Sequence, residues 1–565
     1  MKISRGFKLA AIASLLILIV LSVDVLKAPS GSLELSAAKI KLVLATLAII
    51  GAWILYLINH GFKSKTGHDF IVDRALGRSQ ADSILQSYDK SKRDRQHTID
   101  SQRNRTQLPR SRHPQGIIFG RSDDRWVFSP AVGADAPHAF VYGPTGSGKT
   151  QDVILPSIAA WPKDAHIFAV DVSGDITGTI DQNPWMRSES YHVLDFTDWN
   201  AATRFDVFFE IKQKAEKAKR EGASDEYARA IKANEIEKIA LCLLPPPKAS
   251  DSSNSYFTDG GRDLLCAALL AGFFNEKGFV ETLKFIAETP LNEALKAIEK
   301  SGIHQAVVKV RQFAGQSEKN LSGVRGEAVK AAERITKNAI AARVLTPPKA
   351  GENATLLSPH DIEQHDIFIK LRMTDISVLS SVLGLILTQM TDYFYTRDLT
   401  YASTHPILVI ADELASYCRY WSSIDNDIRN LRKFGIRMLM CCQDFTSIDA
   451  QIGKSKRETI LANTGYKLVL GSYVAADQRE LADLIGKEEQ LKRIQSYSPY
   501  TRTSYTDRWE HQYAIAPEDF GTLAAAHQIV VISPKGWERI STAPFWRCKE
   551  QLHNAVSSVF SWQKF

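Results

Sequence analysis

The stretch Gly143-Pro144-Thr145-Gly146-Ser147-Gly148-Lys149-Thr150 follows the pattern G-x-x-x-x-G-K-T. The apolar run 138–142 just before it predicts a buried strand, and a helix is predicted from about Gly148. Strand, loop and helix in that order are the context a phosphate loop needs. Glycines let backbone N–H groups face a polyphosphate without a Cβ in the way. The start of the following helix adds unpaired donors and positive potential. On this reading the loop from Gly143 to Gly148 cradles the phosphates of ATP. Lys149 reaches the β- and γ-phosphates, and the Thr150 hydroxyl ligates Mg²⁺. A glycine-rich turn that merely contains Lys-Thr is the plain alternative, and the flanking strand and helix weigh against it.

A chain of 565 residues is too long for one ordinary core, so two or more domains are expected. The six cysteines form no C-x-x-C pair and no His/Cys cluster at metal-ligand spacing. That argues against a disulfide framework or a structural zinc, and fits a reducing compartment for most of the chain. The formal charge of +7 permits contact with nucleic acid or anionic lipid but demands neither.

Residues 9–26 and 40–58 are apolar runs, each close to the ~20 residues that cross a bilayer. Lys2, Arg5 and Lys8 precede the first, and Trp53 and Tyr56 suit an interface at the end of the second. The pair predicts a transmembrane hairpin over 1–60 with both termini on one side. Because the phosphate loop needs ATP, that side is expected to be the cytoplasm. Residues 61–114 read as a polar, basic juxtamembrane linker. Between Lys63 and Arg112 there are 12 Lys/Arg and 6 Asp/Glu, a balance suited to anionic lipid headgroups.

Downstream, strand-like runs at 166–170, 367–370, 407–410, 438–442, 467–470 and 529–532 predict a mostly parallel, doubly wound α/β sheet. Asp171, Asp412 and Gln443 fall at strand ends, where such sheets bind ligands. Between Phe209 and Val344 the pattern turns helical. The expected division is therefore a nucleotide-binding domain in two parts, 115–208 and 347–565, interrupted by an all-helical insertion at 209–346. The apolar run ending in Asp412-Glu413 reads as a Walker B strand. Asp412 would hold Mg²⁺, and Glu413 would orient and polarise the attacking water. A helix is predicted over 421–434, with Ile424, Ile428 and Leu431 on its core face. Arg429 and Arg432 then lie outside that stripe. Either is a solvated charge or, in a ring ATPase, an arginine finger; Arg432 is the first candidate, with Arg429 and Arg437 as alternatives.

These motifs together resemble the type IV secretion coupling proteins, the inner-membrane ATPases of conjugation and effector export. A two-span anchor precedes the phosphate loop. Asp171-Val172-Ser173-Gly174-Asp175 is similar to the family's D-x-K-G-E segment. Ala411-Asp412-Glu413-Leu414-Ala415, Arg432-Lys433-Phe434-Gly435-Ile436-Arg437 and Gln443 resemble its later motifs. Ser173 stands where the family usually has lysine, and Asp206 where it often has asparagine. The resemblance implies a RecA-like motor domain with a helical insertion, and a homo-hexamer around a channel. It implies a bacterial inner-membrane, multi-pass location with most of the chain cytoplasmic, and catalytic roles for Lys149, Glu413, Arg432 and Gln443. The implied partners are secretion-channel components and a relaxase bound to single-stranded DNA.

Three other functions compete with transfer of that DNA complex. One is export of protein effectors only, within the same family. Another is a chromosomal DNA translocase of the FtsK type, against which the hairpin and the helical insertion argue. The last is a scaffold that does not hydrolyse ATP, against which Glu413 and Gln443 argue. The aromatic and basic stretch 497–505 has the composition of a single-strand contact, but a polar surface loop is the plainer account of it and is the one expected. The helical insertion is expected to recognise cargo while the α/β ring supplies force.

Overall fold

Fully buried strands without polar alternation belong to sheets covered on both faces. The computed structural model describes residues 108–562 apart from 134–136, 188–190, 248–254 and 499–500. The two expected membrane spans and the basic linker up to residue 107 lie outside the described residues.

The strands in chain order are β1 (Arg110–Ser111), β2 (Gly116–Ser122), β3 (Arg125–Pro130), β4 (Ala139–Tyr142), β5 (Ile167–Asp171) and β6 (Tyr191–Asp195). They continue as β7 (Thr203–Phe205), β8 (Thr355–Leu357), β9 (Asp366–Lys370), β10 (Ile407–Ala411) and β11 (Ile436–Cys442). The last are β12 (Tyr466–Val469), β13 (Lys487–Ser498), β14 (Thr501–Tyr513), β15 (Gln528–Ser533) and β16 (Gly536–Ser541). Twelve of them form one sheet in the order β1-β3-β2-β16-β15-β12-β4-β11-β10-β5-β9-β6. From β12 to β6 the neighbours run parallel. The remaining five strands extend it as an antiparallel wing. The sheet is thus mixed, and of the wing the sequence pattern showed only 529–532, which forms β15 antiparallel to β12. Leu108 is buried and β1 pairs with β3, so the folded unit starts before residue 115.

Every residue of β4, β5, β10 and β11 is buried. Successive residues feed opposite layers, as the period of two requires. Leu408, Ile410, Leu439 and Cys441 join a core with the helices Leu155–Ala160 and Phe545–Trp562. Val409, Ala411, Met440 and Cys442 face the other side. There the helix Ile376–Phe394 covers the sheet, and its apolar core continues without a break into the helices between Phe209 and Val344. By length and composition the segment Met373–Phe394 could cross a membrane, yet it is mostly buried in this core.

Among the described residues, every element between Phe209 and Val344 is a helix. The pattern that reads as one helix from 211 to 244 is two, Phe209–Arg220 and Asp225–Leu243. Gly222 takes φ 93° between them, and the Ser224 side chain accepts from the Tyr227 N–H to cap the second. All six cysteines are buried thiols, none in a disulfide.

Candidate nucleotide site

The strand β4 delivers the chain to Gly143, whose N–H donates to the Cys442 carbonyl at 3.1 Å. A Cβ at Gly143 would stand 2.4 Å from Ser147 Oγ and 3.2 Å from Leu470 Cβ, so a larger residue there would force its neighbours to shift. Gly148 takes φ 96°, a left-handed turn that opens the helical turn Lys149–Ile154. Lys149 is buried, and its Nζ donates to the carbonyls of Gly143 (2.8 Å) and Pro144 (3.4 Å). It lies 3.9 Å from Glu413 Oε1. Thr150 is half-buried beside it in the first turn. Ser147 Oγ is buried without a protein partner, a donor left over for something outside the chain.

β10 ends at Ala411, and the next two residues diverge because Glu413 takes φ 49°. A left-handed non-glycine residue stores strain, and such positions concentrate at functional sites. Asp412 is buried, and its backbone carbonyl accepts from the Tyr417 hydroxyl at 2.8 Å. Burial first, then the adjacent Glu413 charge, push the Asp412 carboxyl up to about 7, against the pull of Lys149. A divalent cation beside Asp412 would hold it ionised, and carboxylate and hydroxyl oxygens are the hard donors Mg²⁺ takes. Asp412 and Thr150 are thus a chemically suitable pair for that ion.

β11 lies between β4 and β10, so its carboxyl end brings Gln443 between the loop and the carboxylates. Gln443 Nε2 donates to Glu413 Oε1 and Oε2, both at 2.9 Å. Its Oε1 accepts from Thr145 Oγ1 at 3.0 Å. Lys149, Glu413, Gln443 and Thr145 therefore form one connected cluster. Asp171, expected at the same crevice, does not join it. Its carboxylate accepts from the N–H groups of Gly174, Ile176 and Thr177 and from Thr177 Oγ1, which makes it the anchor of the helix Asp175–Gln182. Lys370 from β9 lies against Gly174 beside Ser173 and pairs with Asp195 at 3.1 Å.

The helix expected over 421–434 is shorter. An α-helix covers Ile424–Asn430, and a 3₁₀ turn covers Leu431–Phe434 before Gly435 at φ 77°. Ile424, Ile428 and Leu431 are buried, as their spacing predicts. Arg429 and Arg432 are exposed. Arg437 is buried, and its Nη1 donates to the carbonyls of Arg432 (3.1 Å) and Ile436 (3.0 Å). Arg432 sits at the amino end of β11 and Gln443 just past its carboxyl end. At ~3.3 Å per residue that strand separates them by about 20 Å. Arg432 is thus far from the phosphate loop of its own chain.

Sequence reading missed one connection. Asp477, in the helix Ala475–Ile485, is buried and accepts from the Tyr142 hydroxyl (2.6 Å) and the Phe445 N–H (2.9 Å). It ties the residue before Gly143 to the turn after Gln443. Nothing in the local pattern around residue 477 signals this, because its partners, Tyr142 at the end of β4 and Phe445 at the start of the helix Phe445–Ile452, lie far from it in the sequence.

The comparisons agree with this architecture. The protein VirD4 of Rhizobium radiobacter is 20% identical over 449 residues, covering 75% of this chain and 59% of that protein. The chain thus spans less than two thirds of that relative's length. The unbound bacterial conjugative coupling protein TrwBdeltaN70 superposes with a TM-score of 0.55 at 15% identity, over 78% of this chain and 95% of that one. The plasmid coupling protein TrwB in complex with ADP and Mg²⁺ gives 0.53 at 15% identity, over 72% and 85%. At these identities the likeness carries the fold alone, an α/β fold with a large mixed sheet. The family model described as "Type IV secretory system Conjugative DNA transfer" matches residues 85–543, and the chain belongs to that family of type IV coupling proteins.

Proposed function

We propose that this chain is an ATPase that recruits single-stranded DNA with its attached relaxase and drives it into a type IV secretion channel at the bacterial inner membrane. The observation that carries the reading is the Thr145–Gln443–Glu413 bridge, with Lys149 within 3.9 Å of Glu413. A protein that only bound nucleotide would not need an oriented carboxylate beside its phosphate-loop lysine. The TrwB structure in complex with ADP and Mg²⁺ supports the same ligands for this fold.

The roles follow from position. Lys149 and backbone N–H groups of the loop after Pro144 bind the β- and γ-phosphates, and the orphaned Ser147 Oγ gains a partner. Thr150 and Asp412 hold Mg²⁺, which neutralises phosphate charge when bound. Lys149 gives up the Gly143 and Pro144 carbonyls to reach the phosphates. Glu413 accepts the proton of the attacking water, and Gln443 sets where that carboxylate stands. Arg432 serves the γ-phosphate of a neighbouring subunit in a homo-hexamer. The helices of the 209–346 segment recognise cargo. The 1–60 hairpin anchors the chain, and the 61–114 segment lies near the headgroups.

The test is Lys149→Ala in the full chain. ATP hydrolysis should fall to background, and DNA transfer between cells should fall with it. A variant that transfers DNA at the parental frequency would remove ATP hydrolysis from the function.

A further inference from the structure

β12 lies beside β4 on the side away from β11, and the two run parallel in register from Tyr466↔Ala139 to Val469↔Tyr142. The Leu470 N–H donates to the Tyr142 carbonyl at 2.9 Å, so the chain leaves β12 level with Gly143. The turn 470–474 then lies against the phosphate loop. A Cβ at Gly471 would stand 3.9 Å from Pro144 Cδ. Tyr473 comes two residues later, at most about 7 Å farther along the chain.

The turn is firmly held. Ser472 is buried, its N–H donates to the Phe520 carbonyl (3.0 Å), and its carbonyl accepts from Gln478 Nε2 (2.8 Å). Its hydroxyl lies 3.1 Å from the Tyr142 hydroxyl, which donates to Asp477 in the helix that follows. From this fixed turn Tyr473 is nevertheless 68% exposed and Val474 40% exposed, and Ala475 and Ala476 are exposed beside them. The Tyr473 ring and hydroxyl meet no hydrogen-bond or ring partner among the described residues. A single exposed apolar side chain is ordinary, whereas four in succession beside a ligand loop mark a contact surface. A ring presented from a rigid mount also loses little freedom when something covers it.

The far side of the loop sets the direction of the ligand. Lys149, Glu413 and Gln443 lie toward β11 and β10, so the γ-phosphate of a bound nucleotide points there. The nucleoside end then leaves the loop on the opposite side, where β12 delivers Tyr473. We propose that Tyr473 is the platform on which the base of the bound nucleotide stacks, with Val474 extending the same apolar surface. Aromatic rings stack on any base, because every base has a π-face. The platform therefore adds affinity for ATP without by itself choosing among bases. It takes no part in hydrolysis, because stacking is equally strong before and during the reaction. The inference rests on the reading of this crevice as a nucleotide site.

The test uses the full chain in detergent, with equilibrium binding of ATP and of inorganic triphosphate, which carries no base. Tyr473→Ala should weaken ATP binding about tenfold and leave triphosphate binding within twofold of the parent. KM for ATP should rise by a similar factor while kcat changes less than twofold, the signature of lost uniform binding. Tyr473→Phe keeps the ring and should match the parent. ATP affinity within twofold of the parent in Tyr473→Ala overturns the inference. An equal loss of ATP and triphosphate binding also overturns it, and would assign Tyr473 to the shape of the phosphate loop. So does a loss of oligomers at unchanged ATP affinity, which would assign the ring to a contact between copies. If the parent binds neither ATP nor triphosphate, the nucleotide reading fails as well. If the parent binds both and Tyr473→Ala matches it, the stacking inference alone fails.

Discussion

Gln443 donates from one amide nitrogen to both carboxylate oxygens of Glu413, at 2.9 Å each, while its own Oε1 accepts from Thr145 at 3.0 Å. One side chain therefore couples the phosphate loop to the carboxylate proposed to polarise water. Glu413→Gln should bind ATP normally and lose about 10²–10⁴-fold in turnover. Gln443→Ala leaves the carboxylate present but unheld. Misplacement of a reacting group by about 1 Å costs on the order of 10²-fold, so kcat should fall by that much with ATP affinity nearly unchanged. Phosphate release and fluorescent-nucleotide binding separate the two quantities. A Gln443→Ala enzyme with parental kcat would exclude the positioning role.

Arg432 and Arg437 are five residues apart and do different work. Arg432→Ala should leave stability unchanged and reduce hydrolysis about 10³-fold, the scale of an arginine finger. Mixed rings of Lys149→Ala and Arg432→Ala chains should recover part of the activity, since each supplies what the other lacks. Arg437→Ala should instead lower the unfolding midpoint, because its buried guanidinium binds two carbonyls. Equal hydrolysis rates for monomers and oligomers would show that Arg432 does not act in trans.

His138 gives the fold a pH dependence. Its Nδ1 accepts from the Met438 N–H at 3.0 Å and ties β4 to β11. Burial, then the charges of Arg437 and Arg432, push its pKa down from 6.5 to about 3. Below pH 6.5 the unfolded chain therefore takes up a proton that the folded chain refuses. Stability should fall as pH drops from 6.5 toward 3, by up to about 1.4 kcal/mol per pH unit. His138→Asn keeps an acceptor and does not titrate. Urea denaturation at pH 7 and pH 5 should show the parent losing more stability than this variant, and equal losses would remove His138 as the source.

Six of the seven parallel strands were legible because each is short, apolar and bounded by polar turns; β6 (Tyr191–Asp195), with two polar ends and His192, was not. The run 407–410 became β10 (Ile407–Ala411), and 438–442 became part of β11. Of the antiparallel wing only 529–532 was legible, as part of β15; β1 and β16 mix polar and charged residues and leave no apolar run. The stretch 497–505 reads as a polar surface loop, yet β13 (Lys487–Ser498) and β14 (Thr501–Tyr513) run into it from both sides, because 487–513 holds no sustained apolar alternation to mark a strand.

The sequence by itself determined the chemistry of the nucleotide site. Gly143 to Thr150 form a contiguous motif, and Asp412-Glu413 end a strand, so backbone propensity alone places them at strand termini. Only the tertiary structure decided which strand ends meet. The order β4-β11-β10 sets Gln443 against Glu413 and Thr145, while β5 turns Asp171 to capping its own helix. The same order puts Arg432 at the opposite edge of the sheet. Local pattern specifies elements because side-chain periodicity is local. Strand order comes from packing both faces of one sheet at once, and that depends on residues hundreds of positions apart.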